Sequence, residues 1–111
     1  MTTYKEIRGT NVVKANTVNP GSWATGGALN SGREDATGIG SQTAALVAST
    51  LVEKYNGVSW TEINDLQTPR GRLSSGGTTT SALVFAGRTP SSGPSGVALT
   101  EAFDDTTWTE V

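Results

Sequence analysis

The sequence predicts an all-β protein: two four-stranded antiparallel units that follow a short N-terminal extension. Three observations carry this expectation. Thr (18), Ser (11) and Gly (14) supply 43 of the 111 residues; Thr favours strands, while Gly and Ser favour tight turns. A tryptophan-centred segment recurs, at Trp23, Trp60 and Trp108. No window shows the apolar spacing of an amphipathic helix, so no long helix is expected.

The recurrence sets the organisation. Sliding the segment from Trp23 by 37 positions onto Trp60 brings Leu29 onto Leu66, Arg33 onto Arg70, Gly40 onto Gly77 and Thr43 onto Thr80. Ala45-Leu46-Val47 then falls on Ala82-Leu83-Val84, which makes 8 identities in 26 positions with the Trp pair. The offset next rises to 48, where Leu51 meets Leu99, Glu53 meets Glu101, Tyr55 meets Phe103 and Trp60 meets Trp108. The second repeat therefore carries an 11-residue insertion. A strand cannot absorb an insertion without losing register, so this one belongs in a surface loop. The chain divides into residues 1–20, outside the repeats, and residues 21–111, with repeats of about 23–60 and 60–111.

Taken in order, the first twenty residues read as an attachment or oligomerisation segment, with one or two strands between Glu6 and Lys14. Asn19-Pro20-Gly21 turns the chain into the first Trp segment. Gly38-Ile39-Gly40 and Ser74-Ser75-Gly76-Gly77 are strands or turns of small residues. Ala44 to Ala48 and Ser81 to Ala86 are short apolar runs, expected as central strands covered on both faces. Asn56-Gly57, between Glu53-Lys54-Tyr55 and Val58-Ser59-Trp60, predicts a hairpin with a two-residue type I′ turn. The insertion maps to Arg88 through Gly96, a run of turn formers with two prolines.

Composition excludes several functions. Eight Lys+Arg against ten Asp+Glu give a net charge of −2, with no basic run. Nucleic-acid binding depends on clustered cations that release phosphate counterions, so no nucleic-acid partner is expected. Cysteine is absent, which removes disulfides and thiolate metal sites. Histidine is absent too, which removes the usual general base near neutral pH and the commonest metal ligand. No apolar stretch is long enough for membrane insertion. The opening Met1-Thr2-Thr3-Tyr4-Lys5-Glu6-Ile7 lacks the apolar core of a secretory signal, so synthesis in a cytoplasm without Sec export is expected.

In each repeat an apolar run is followed by an aromatic residue and, five positions later, by tryptophan. The elements are Ala45-Leu46-Val47-Ala48, Tyr55 and Trp60 in the first, and Ala82-Leu83-Val84-Phe85-Ala86-Gly87, Phe103 and Trp108 in the second. This pattern resembles a Kelch-type blade of a β-propeller, with the usual Gly-Gly pair replaced by Ala48-Ser49 and Ala86-Gly87. The phrases Trp23-Ala24-Thr25-Gly26-Gly27-Ala28-Leu29-Asn30, Ser41-Gln42-Thr43-Ala44-Ala45-Leu46-Val47 and Glu53 through Glu62 are similar to Kelch-like repeat proteins of marine bacteriophages, cyanophages in particular. The resemblance implies two four-stranded blades, a half or a third of a propeller. It also implies a virion location, as a tail appendage, fibre or capsid decoration made in the host cytoplasm. A glycan-binding adhesion module that contacts the host surface is the alternative. Kelch-like copper oxidases require His and Cys, so no enzyme and no cofactor are expected.

Trp23, Trp60, Trp108, Tyr55, Phe103, Leu46 and Leu83 are the candidate blade-packing and assembly residues, because a large side chain recurring at one repeat position anchors packing. The competing reading of the tryptophans is sugar stacking. Arg33 and Arg70 read either as a fork for carboxylate or phosphate, or as partners of a carboxylate such as Glu34 or Asp65. Glu62 and Glu110 are assigned to a solvated strand face. Asp104-Asp105 is considered for Ca²⁺ and assigned to an ordinary hairpin turn, since the matching Asn56-Gly57 has no carboxylate. Two blades cannot close a ring, because propellers use about 4–8 of them. The expected partners are therefore further copies of the chain, as a homotrimer of six blades, and other virion proteins. Stacking around a three-fold fibre axis, or an open sheet docked on another virion protein, are the rivals.

Overall fold

Eight strands fold into two meanders. The structure is a computed structural model that describes residues 21–111. The expected attachment segment, residues 1–20, lies outside the described residues. Sheet I comprises β1 (Thr37–Ser41), β2 (Ala44–Ala48), β3 (Val52–Tyr55) and β4 (Trp60–Glu62), paired in that order. Sheet II repeats the arrangement with β5 (Ser74–Gly77), β6 (Ala82–Phe85), β7 (Thr100–Phe103) and β8 (Trp108–Glu110). Every pairing is antiparallel, and no helix occurs among the described residues. The all-β, two-unit architecture is the one the sequence predicts.

The register reproduces the repeat. Ile39 lies opposite Leu46 and Leu46 opposite Lys54 in sheet I. In sheet II the equivalent row is Gly76, Leu83 and Ala102. The connection from β2 to β3 is residues 49–51, and from β6 to β7 it is residues 86–99. The whole insertion falls in the second connection, as expected.

Two expectations about turns and coverage are corrected. Tyr55 pairs with Trp60, so residues 56–59 form a four-residue loop in which only Gly57 has positive φ. Asn56 stabilises it through its side chain: Oδ1 accepts from Val58 N and Ser59 N, both at 2.9 Å. An Asx side chain that mimics a backbone turn removes the need for the two left-handed residues of type I′. The central strands β2 and β6 are not covered on both faces. In β6, Ala82 and Val84 are buried while Leu83 and Phe85 are exposed. Among the described residues each sheet has only one neighbouring sheet, and strand side chains alternate between faces.

The core lies between the sheets. From sheet I it takes Ile39, Leu46, Ala48 and Val52; from sheet II, Ala82, Val84, Phe103 and Trp108. Leu66 and Leu73, on the connector between the sheets, close its margin. At the hairpin between β5 and β6, Gly77 has φ +118°, and an added Cβ would lie 2.8 Å from Ala82 Cα. Gly40 occupies the same position in sheet I, with φ +103°. Gly77→Ala is expected to cost about 1–3 kcal/mol through backbone strain and steric overlap. Urea denaturation checks this: the midpoint should fall with the m-value unchanged.

Candidate functional site

Each sheet is pinned by a buried Arg–Glu pair. Arg70 Nη1 contacts Glu101 Oε2 at 2.7 Å, and both side chains are wholly buried. Glu101 also accepts from Gln67 N at 2.6 Å and Thr68 N at 3.1 Å. Arg70 donates further to the carbonyls of Ala86 at 2.7 Å, Thr68 at 2.9 Å and Leu99 at 3.3 Å. One guanidinium thus ties the connector to both stems of the inserted loop. In sheet I, Arg33 Nη2 pairs with Glu53 Oε2, and Arg33 Nη1 donates to Leu51 O at 2.7 Å. Asn30 N and Ser31 N donate to Glu53 at 2.8 and 3.2 Å.

The partners are therefore Glu53 and Glu101, not Glu34 or Asp65. Glu34 is exposed, and Asp65 instead accepts from Val52 N at 3.0 Å. Both guanidinium groups are spent inside the fold, which removes them as ligand-binding forks. The signal was present in the sequence: Arg33/Arg70 recur at an offset of 37 and Glu53/Glu101 at 48. Burial alone raises the Glu53 carboxyl. The backbone N–H groups of Asn30 and Ser31, the Asn30 amide and the Arg33 guanidinium outweigh that and hold it below its ordinary value of 4.5.

The aromatic pairs occupy equivalent cross-strand positions in unequal surroundings. Phe103 stacks on Trp108 with ring centroids 4.7 Å apart, and Tyr55 packs on Trp60 at 4.9 Å. The first pair faces sheet I and is buried, Trp108 to 2% exposure. Tyr55 and Trp60 lie on the outer face of sheet I with Ala45 and Val47, and all four are half-buried. Trp60 is therefore half-buried and not enclosed between sheets, because among the described residues no sheet lies over it. Leu46 is buried, whereas its equivalent Leu83 is 44% exposed on the outer face of sheet II beside Phe85. Trp23 departs furthest from a packing role. It is 102% exposed, in a stretch without strand structure, and lacks the adjoining aromatic that Trp60 and Trp108 have.

Polar contacts hold the two sheets in register. Thr37 Oγ1 and Ser75 Oγ lie 2.6 Å apart, Lys54 Nζ meets Asp105 at 2.8 Å, and Arg72 Nε meets Asp35 at 2.9 Å. Asp104 accepts from Thr106 N and Thr107 N at 3.0 and 2.8 Å, as Asn56 does in sheet I. Those two N–H groups hold its carboxyl below the ordinary value. With Asp104 serving the turn and Asp105 serving Lys54, the adjacent pair is structural. Glu62 and Glu110 are exposed and accept from Ser31 Oγ and Thr68 Oγ1. An open cleft of about 480 Å³ lies at one end, among Arg33, Asp35, Thr50, Arg72, Arg88 and Pro90. Among the described residues no three carboxylates gather as a metal site.

Two outcomes follow from this geometry. Trp108→Ala is expected to cost about 3–5 kcal/mol, as for a fully buried aromatic, and Trp60→Ala distinctly less; paired denaturation curves check the difference. For pH, the Glu53 carboxyl is lower in the folded chain than in the unfolded one. Its contribution is complete above 4.5 and is lost as pH falls through the folded value. Melting temperatures measured downward from pH 6 should drop below about 4.5, and Glu53→Gln should flatten that slope.

A scan against protein-family models finds no match, and no curated protein matches the chain significantly.

Proposed function

We propose that the protein is a structural component of a bacteriophage virion that acts through protein–protein assembly and carries no catalytic activity. The observation that carries this reading is the pair of apolar sheet faces on which no second sheet packs among the described residues. One carries Ala45, Val47, Tyr55 and Trp60, all half-buried; the other carries Leu83 and Phe85, both exposed. Exposed apolar surface of this kind marks interaction sites, because leaving it in water forfeits the free energy of burial. The resemblance to Kelch-like phage repeat proteins supplies the setting: a tail appendage, fibre or capsid decoration. A homotrimer with six sheets, joined to other virion proteins, fits both features.

A second reading, adhesion to a host-surface glycan, is favoured by one observation. Trp23 is fully exposed, and an exposed indole offers an apolar face to sugar C–H groups. Quantitative mass spectrometry of purified particles tests the first reading. Structural copy numbers of this chain are expected, and recovery only in the soluble fraction of lysed cells overturns it. A glycan array tests the second: binding that Trp23→Ala abolishes establishes adhesion, and no binding by the intact chain removes it.

A further inference from the structure

We infer that the outer face of sheet II is a docking site for the outer face of sheet I of a second copy, head to tail. The inference deepens the assembly reading above and rests on it.

The two sheets are related by the repeat, and they are stacked in one direction only. The face of sheet I that packs inward carries Leu46, Ala48 and Lys54. Its equivalents in sheet II are Leu83, Phe85 and Ala102, on that sheet's outer face. The face of sheet II that packs inward carries Ala82, Val84, Phe103 and Trp108; its equivalents are Ala45, Val47, Tyr55 and Trp60, on the outer face of sheet I. The two uncovered faces are thus the two halves of the interface already formed inside the chain. Docking one on the other reproduces the internal arrangement, with Gly76 and Thr100 standing where sheet I has Ile39 and Val52. It brings Leu83 and Phe85 into one core with Tyr55 and Trp60, as Leu46, Ala48, Phe103 and Trp108 share one inside the chain.

Charge fits this polarity. Asp35 and Arg72 occupy the same repeat position, at φ +56° and +59°, and they pair across the internal interface. Arg72 N also donates to Asp35 O at 2.8 Å. In a head-to-tail join the Arg72 of one copy meets the Asp35 of the next, so the charges alternate Asp, Arg, Asp, Arg. A heterologous join of this kind closes into a ring or grows as a filament.

The internal contact Thr37–Ser75, at 2.6 Å, transposes to Ser74 of one copy and Gly38 of the next. Within a single chain these two positions lie on opposite outer faces, Gly38 beside Val47 in sheet I and Ser74 beside Phe85 in sheet II. A Cβ at Gly38 meets nothing within 4 Å, and the chain has no native cysteine. Full-length Gly38→Cys and Ser74→Cys variants are mixed at micromolar concentration, oxidised and run without reductant. The expected product is a dimer containing one of each variant. The double variant should yield larger disulfide-linked species, and adding Phe85→Asp to the Ser74→Cys chain should abolish the mixed dimer. Phe85 is 41% exposed, so that variant should retain the wild-type circular dichroism spectrum. No mixed dimer from folded variants, or cross-linking unchanged by Phe85→Asp, overturns the inference. If the chain is found in particles but does not cross-link, self-docking fails while the virion reading stands, and another virion protein covers the faces. If it cross-links but is absent from particles, the virion reading fails while the docking holds.

Discussion

The buried Arg–Glu pair is the constraint on which each sheet depends. Moving a carboxylate and a guanidinium out of water costs several kcal/mol per ion, and their attraction offsets this only when the remaining hydrogen-bonding groups are satisfied. Here they are satisfied by the backbone. Glu101 takes the N–H groups of Gln67 and Thr68, and Arg70 takes three carbonyls. The connector from β4 to β5 has little regular structure, yet it runs through the interior at Leu66, Arg70 and Leu73. The ion pair supports that path, because it supplies partners for part-buried backbone groups that no sheet ladder reaches. Truncating either ion would leave the other charge buried and unpaired.

The same pair explains how the second repeat tolerates its insertion. Arg70 holds the carbonyls of Ala86 and Leu99, which flank the inserted loop. Ala86 N also donates to Leu99 O at 2.9 Å. The loop's ends are therefore fixed close together, and its added length costs little closure entropy, which grows only slowly with loop length. The sheet beneath it keeps the register of its counterpart.

Packing between the sheets is directional, and the aromatic pairs show this most plainly. Phe103–Trp108 and Tyr55–Trp60 share geometry and repeat position, but among the described residues only the first has a sheet over it. Sequence identity at a repeat position therefore does not imply equal burial. Leu46 and Leu83 show the same effect on the opposite face. What differs is whether a neighbour exists on that side, a property of the stack and not of the residue.

The sequence by itself determined the fold class, the number of repeats, the strands that carry the apolar runs and the place of the insertion. Those features are local or periodic: strand alternation, turn formers and a fixed offset are all written along the chain. It also marked Arg33, Arg70, Glu53 and Glu101 as recurring, without joining them. Pairing Arg70 with Glu101 needs two residues far apart in sequence to meet where the connector packs on β7, and only the tertiary structure brings them together. The Asn56 and Asp104 turns were visible as hairpins, but their loop length depended on cross-strand register. Which aromatic residues are covered was likewise decided in three dimensions. Each sheet has two faces of similar composition, and only the direction of stacking chooses the one that water leaves.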